Sequence, residues 1–594
     1  MKTPLSLSLV LLALLLSCSP PEKKADVTTK PKLDSLLSSY HEESFRLNPL
    51  RATSAGDNRY NDLLPNVLTT AYRQQQQAFY ERYKHALSTL DKSVLSEDDQ
   101  LSYDLLMYEC ERSLEGLQFK DYLMPISQIR SLTLMIVQLG SGTGNQPFKT
   151  VKDYDNWLSR LNGYLEWCDT AMVNMKKGME LGYVIPKPLA AKVIPQLANF
   201  DHGPAENLLY YAPIKMMPED FPAEEKERLK KAYKEIIETK LIPANKKLKD
   251  FIEKTYLPAC RETSGIDGIP EGKAYYDYLI KYWTTTDITA DEIFALGQRE
   301  VDRISQEMEQ VKEQVGFKGD LKAFLESLRT DRKLRPFKTG EDIIAYYNAI
   351  HEKMKPNLAR LFEQAPKAGF EVRRIEAYRE KTTAANYNAG SEDGTRPGIF
   401  YFPSPEPENY SIVGTENLFL HEAIPGHHYQ IMLKIENKAL PDFRRYLNYG
   451  AYTEGWALYT ESLGKELGLY TDPYLYFGML SSEMHRAIRL VVDAGMHSQG
   501  WTREQAIQYS KDHEAASEQS IISEIERYMG MPGQALSYKM GQLKILELRA
   551  KAVKELGDKF DIKKFHSQVL NSGSLPLSTL DQKVSQWIEK MKGV

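Results

Sequence analysis

Paired cysteines, long apolar runs and a dominant sign of charge are all scarce in this 594-residue chain, and each scarcity excludes a class of protein. The one extended apolar run, Leu5 to Leu16, is shorter than the ~20 residues a helix needs to cross a bilayer. Of four cysteines, Cys18 directly follows the leader. Cys110, Cys168 and Cys260 remain, an odd number at wide spacing that implies neither a disulfide framework nor a cysteine metal site. One pair has the freedom to bridge, and the sequence does not choose which. The 76 basic and 81 acidic side chains leave a formal charge of -5, too even a balance to steer the chain toward nucleic acid or an anionic bilayer. Two catalytic signatures are also missing. No Gly-x-Ser-x-Gly elbow occurs, which disfavours a serine hydrolase. Gly272-Lys273 is followed by Ala274 and lacks the preceding phosphate-loop glycine. Gly140-Ser141-Gly142-Thr143-Gly144 reads as a loop bordering a cleft.

What is present describes a soluble globular body: 42% hydrophobic and 26% charged residues with a mean hydropathy of -0.47. The 36 tyrosines outnumber 20 phenylalanines, a choice that suits either a wet cleft or ordinary half-buried packing. Residues 1–17 read as a secretory signal, and Leu15-Leu16-Ser17-Cys18 resembles a bacterial lipobox that would leave Cys18 as a lipidated N-terminus. A plain signal peptide, with Cys18 incidental, is the other reading. Ser19 after the cysteine resembles the outer-membrane sorting pattern of Gram-negative lipoproteins. The expected location is therefore the cell envelope, at the periplasmic face or outer membrane, with the lipid on Cys18 as the sole membrane contact. The polar stretch to Lys32 reads as a tether. Residues 33–594 then form a single helical catalytic unit with a soft lobe boundary near 267–272. Leu229, Tyr233, Ile236, Ile237 and Leu241 show the three- and four-residue steps that dominate the chain, with Pro243 as an interruption. Strands are expected only at Phe370 to Ile375 and Ile399 to Phe402. These would form a small sheet whose edge lies upstream of the histidine-rich region and is available to an extended peptide.

Six of the 11 histidines fall between positions 421 and 513. Their centre is His421-Glu422-Ala423-Ile424-Pro425-Gly426-His427-His428. The zinc-protease helix His-Glu-x-x-His places two ligands one turn apart with the glutamate as base. Here proline stands where the second histidine would be. On a regular helix His427 would sit about 120° around and ~9 Å along from His421, and His428 ~10.5 Å along, too far for either to share an ion with it. Pro425 and Gly426 supply a way out, because proline removes an amide donor and glycine accepts unusual dihedrals. A bulge there would bring His427 into the ligand position with His428 as a neighbour. A helix C-terminus, for which Pro-Gly is a common stop, is the competing interpretation. Glu454, in Tyr452-Thr453-Glu454-Gly455-Trp456-Ala457-Leu458-Tyr459-Thr460-Glu461, follows at a distance that suits a third ligand. Glu461, seven residues on and near the same face, is either an alternative ligand or a group that orients a histidine.

The motifs His-Glu-Ala-Ile-Pro-Gly-His-His at 421 to 428, Glu-Gly-Trp-Ala-Leu-Tyr at 454 to 459 and Asp493-Ala494-Gly495-Met496-His497 resemble a bacterial family, domain-of-unknown-function 885 (DUF885), over most of the chain. The family is grouped with zincin-like metallopeptidases, and many members are lipoproteins. Ala52-Thr53-Ser54-Ala55-Gly56-Asp57 also has a familial look without suggesting chemistry. The resemblance implies a mainly α, zincin-like fold with a deep cleft, similar to helical oligopeptidases. Tyr538, at the turn-to-helix junction of Pro532 to Gly541, stands where related helical metallopeptidases put a phenol for the oxyanion. Arg486, Arg489, Asp493 and His497 form a polar stripe on an apolar helix, read either as mutually hydrogen-bonded or, for His497, as a contact to substrate or oxyanion. The expectation is one Zn²⁺ on His421, His427 and Glu454, with Glu422 as general base, Tyr538 and His497 as further catalytic groups, and a peptide as substrate. The alternative is a degenerate metal- or peptide-binding lipoprotein on the same scaffold.

Overall fold

A computed structural model of the chain describes residues 28–142, 144–376, 380 and 383–593. The signal sequence, Cys18 and most of the tether lie outside these. The tether ends earlier than Lys32: a helix runs Thr29–Leu47, and Lys30 bridges Asp34 and Asp99 at 2.9 Å each. Among the described residues no helix is long and apolar enough to cross a membrane.

The architecture is mainly α, as the periodicity predicts, and one large hydrophobic cluster draws on residues from Leu33 to Ile588. Pro243 does not break its helix. The chain widens into a π turn over Ile237–Leu241, and the proline then sits in the first turn of the helical segment Ile242–Phe251, where its missing N–H is harmless. Cys110, Cys168 and Cys260 are all free and buried.

Nine helices shape the region of interest: α1 (Gly272–Thr284), α2 (Ala290–Gln314), α3 (Gly340–Leu361), α4 (Thr415–Glu422), α5 (His427–Glu436), α6 (Gly450–Ser462), α7 (Pro473–Ser498), α8 (Glu518–Gly530) and α9 (Leu536–Leu556). Two crossings are so close that only glycine fits. A Cβ on Gly455 of α6 would lie 2.4 Å from the Cα of Gly541 of α9, and one on Gly297 of α2 would meet Leu490 and Val491 of α7 at 2.8 Å. The first crossing fixes the backbone beside Glu454 against the helix that carries Tyr538. The segment near 267–272 is a short 3-10 turn, Ile266–Gly268, leading into α1. It packs on α7, where a Cβ on Gly265 would strike the Met496 carbonyl oxygen.

The small sheet contains β1 (Phe370–Arg374), β2 (Asn386–Asn388) and β3 (Gly398–Phe402) in the order β1-β3-β2. β1 pairs parallel with β3, Phe370 opposite Gly398, and β2 pairs antiparallel, Tyr387 opposite Phe400. The expected peptide-accepting edge is thus corrected. β3 is the central strand with both sides paired, because the three-residue β2, too short to stand out in the sequence, covers it. Phe400 and Phe402 pack on Tyr347 of α3, with ring centroids 5.0 and 5.5 Å away, and Phe419 of α4 joins them. The sheet and α3 are the wall behind the helix that ends in His421-Glu422.

Candidate metal centre

α4 stops at Glu422 and α5 starts at His427, so the segment His421 to His428 is neither one bulged helix nor a plain helix end but two helices joined by four residues. The Ile424-Pro425 peptide bond is cis. The Trp456 indole N–H donates to the Pro425 carbonyl at 2.9 Å, and the His428 amide reaches back to the Ala423 carbonyl at 3.1 Å. Gly426 is obligatory here, since a Cβ would lie 2.0 Å from the His421 carbonyl oxygen and 2.2 Å from that of Leu420.

This connection turns His427 back toward His421. Nε2 of His421 lies 3.5 Å, and Nε2 of His427 3.8 Å, from Glu454 Oε2. The three residues offer ligand atoms all within 4.8 Å of one another. A tetrahedral ion with bonds of 2.0–2.1 Å separates its ligand atoms by roughly 3.4 Å, so two imidazoles and a carboxylate at 3.5 and 3.8 Å have a spacing that a small tetrahedral ion could bridge. Glu461 is not a fourth member of this group. Its Oε1 accepts from His421 Nδ1 at 2.8 Å, and its other oxygen accepts from Asn417 at 3.2 Å. That bond fixes the tautomer that leaves Nε2 free to bind. Asn417 escaped the sequence reading, although its place four residues before His421, on the same helical face, was a usable signal. His428 points elsewhere: the Tyr387 hydroxyl of β2 lies 2.8 Å from its Nδ1, and Phe370 packs on it.

Electrostatics sort these groups. Burial opposes a charge on His421, but the bonds to Glu454 and Glu461 outweigh it and raise its pKa to about 10. Burial alone would raise Glu454, yet His421 and His427 bring it down to about 2. His427 is lowered by burial to about 4. Glu422 is 9% exposed and raised by burial to about 7, against the pull of the His421 and Arg486 charges. In the metal-free protein the proton on His421 thus occupies the role a cation would take.

Residues 49–584 match the family described as a bacterial protein of unknown function, DUF885. The chain belongs to DUF885. A solved structure of a candidate lipoprotein from Colwellia psychrerythraea superimposes with a TM-score of 0.85 at 28% identity, covering 95% of this chain and 99% of that one. A second, a candidate lipoprotein of unknown function from Shewanella oneidensis, gives 0.74 at 18% identity over 93% and 99% and shares the fold. No curated protein matches the chain.

The other residues expected at the site resolve differently. Tyr538 lies in the first turn of α9, beneath two guanidinium groups: Arg486 at 4.9 Å and Arg489 at 4.5 Å from its ring centroid. Since the Arg486 charge also acts on Glu422 and Glu454, Tyr538 belongs to the surroundings of the metal group. His497 does not. It is 1% exposed, its Nδ1 accepts from the Ile266 amide at 2.9 Å, and its Nε2 donates to the Tyr528 carbonyl at 3.1 Å. With both nitrogens spent on backbone and its pKa lowered by burial to about 3, it has nothing to offer a substrate, and the catalytic role expected of it is withdrawn. The stripe is not mutually bonded either. Arg489 binds Tyr528 and Glu524 of α8, and Asp493 accepts from Tyr276 at 2.6 Å and the Gly533 amide at 3.0 Å. The Ala52 to Asp57 segment, the end of a short helix, finds a setting as well: Thr53 to Gly56 line a cavity of about 890 Å³ together with Gly142 and Gly144 of the glycine-rich loop and Gln146 just beyond it.

Proposed function

We propose that this DUF885 protein is a zinc-dependent peptidase of the cell envelope with a zincin-like site at the floor of a substrate cleft. The observation that carries the reading is the convergence of His421, His427 and Glu454 within 4.8 Å, with His421 oriented by Glu461. That donor set, two imidazole nitrogens and one carboxylate, leaves a position open on a tetrahedral ion, as in catalytic rather than structural zinc sites. When bound, zinc supplies Lewis acidity to a carbonyl and makes a nucleophile of water near neutral pH.

The remaining steps fall to the chain itself. Glu422, next to a ligand and buried on the same helix end, takes a proton from the attacking water and returns it to the leaving amine. Tyr538 donates its hydroxyl to the oxyanion, and the guanidiniums over its ring favour the negative charge that develops there. Glu461 and Asn417 hold His421 in one tautomer throughout. The leader and Cys18 would place this activity on a lipid anchor, in keeping with the description of both structural neighbours as candidate lipoproteins. The test is metal analysis of the purified protein alongside digestion of a mixed peptide library with and without chelator. One zinc per chain and chelator-sensitive cleavage are expected. Zinc without cleavage would instead identify a binding protein on the same scaffold.

A further inference from the structure

Arg486 stands on α7 with a guanidinium that makes no hydrogen bond and no ion pair among the described residues. Its Nε is sealed from solvent, while the residue as a whole is half-buried. A buried guanidinium Nε without an acceptor is uncommon. The neighbouring arginines show what ordinary anchoring looks like here. Arg489 gives Nε to Tyr528 at 2.9 Å and Nη2 to Glu524 at 2.8 Å, and Arg527 shares that same Glu524 at 3.1 Å and binds Gln534 at 2.6 Å. Glu524 is thereby shared by two arginines and also accepts from the Tyr528 hydroxyl at 2.7 Å, while Arg486 has no such partner among the described residues.

Position adds direction to the vacancy. One side of Arg486 rests on the Tyr538 ring, which holds the guanidinium plane by cation–π contact. Its charge reaches Glu422 and Glu454, the base and the third ligand. It is thus a planar fork of donors, braced from below by Tyr538 and within electrostatic reach of Glu422 and Glu454. A planar fork pairs best with a carboxylate, through two parallel N–H to oxygen bonds.

We propose that Arg486 anchors a carboxylate of the peptide substrate, either the C-terminal α-carboxylate or an acidic side chain, and so selects acidic or C-terminally free peptides. The proposal rests on the peptidase reading above and names the substrate class for the same site. Arg486 is a specificity residue in this role, since no bond is made or broken at its nitrogens.

The experiment compares trialanine, trialanine amide and an acidic tripeptide amide with aspartate in the middle. Turnover is measured on the zinc-loaded protein and equilibrium binding on its Glu422→Gln variant, each with and without Arg486→Met or Arg486→Lys. At least one carboxylate-bearing peptide is expected to exceed the neutral amide about 10- to 100-fold in kcat/KM or affinity. Arg486→Met is expected to bring the carboxylate-bearing peptides down to the level of the neutral amide, beyond any common factor it imposes on all three, and Arg486→Lys to restore part of the preference. The result identifies which carboxylate is read. Equal handling of all three peptides by the wild-type protein overturns the proposal without any variant, as does an equal loss for every peptide in Arg486→Met. Carboxylate-dependent binding through Arg486 without any cleavage would refute the peptidase reading and keep the anchor. Cleavage indifferent to carboxylates would do the reverse, and a protein that neither cuts nor binds these peptides refutes both.

Discussion

Gly426→Ala is a one-methyl perturbation whose consequence can be worked out atom by atom. The added Cβ would sit 2.0 Å from the His421 carbonyl oxygen, whereas ordinary contact begins at 3.4 Å, so something must move by 3.4 - 2.0 = 1.4 Å. Both obstructing oxygens are backbone atoms in the last turn of α4, which no rotamer change can clear. The strain of such overpacking is about 1–3 kcal/mol, which in a chain this long lowers the unfolding temperature by only about 1–3 °C. Metal geometry is far less forgiving, because ligand distances must hold within about 0.2 Å. The turn that brings His427 to His421 would open, and zinc affinity is expected to fall at least ~100-fold, close to 3 kcal/mol. The assay is zinc competition against a chromogenic chelator, with far-UV circular dichroism to confirm that the helices persist. Gly530→Ala is the control, since its Cβ would meet nothing nearer than 3.6 Å, and it should bind zinc normally. Wild-type zinc affinity in Gly426→Ala, together with unchanged melting, would refute the reasoning.

Other expectations follow from the same geometry. Glu461→Ala frees His421 Nδ1 from its 2.8 Å partner and should weaken zinc binding about 10- to 100-fold in the same competition assay, with little change in peptide affinity. Because His421 keeps its proton up to about pH 10 in the metal-free protein, zinc uptake at pH 7.5 should release close to one proton per ion. Calorimetry in buffers of differing ionisation enthalpy reads this directly, and affinity should climb as pH rises toward 10. Burial raises Asp493 to about 7 from a usual 3.8. Its folded pKa lies above its unfolded one, so its contribution to stability is complete below about pH 4 and is lost as pH rises through 7. Asp493→Asn, which keeps acceptors for Tyr276 and Gly533, should flatten the decline of denaturant stability between those limits, by a few kcal/mol at most.

The helices and the cluster of His421, His427 and Glu454 were legible in the sequence because each leaves a local imprint. Periodic apolar residues mark the helices, and the His-Glu pair, the Pro-Gly break and a later helical glutamate mark the metal group. The break marked a reversal at 425–426, but it left open whether His427 or His428 would join His421; the fold puts His427 beside Glu454 and His428 against Tyr387. What stayed hidden depends on residues far apart in the chain. β2 is three residues long and gains its identity only by pairing with β3. His497 sits beside a charged stripe in sequence, yet its partners are the amide of Ile266 and the carbonyl of Tyr528, which no local pattern announces. Pro243 reads as an interruption because periodicity carries no information about a π turn that absorbs it. The glycine pair at 455 and 541 was visible as isolated glycines in helical patterns, a hint of close packing, but only the fold shows that they touch each other.

The most direct trial of the account is the peptide-library digest of zinc-loaded wild-type protein set against Glu422→Gln, read by mass spectrometry for new termini. The account predicts new termini in the wild type that vanish with chelator and vanish in Glu422→Gln, while that variant still carries one zinc per chain. Undiminished cleavage by the Glu422→Gln protein, or cleavage indifferent to chelator, would contradict it.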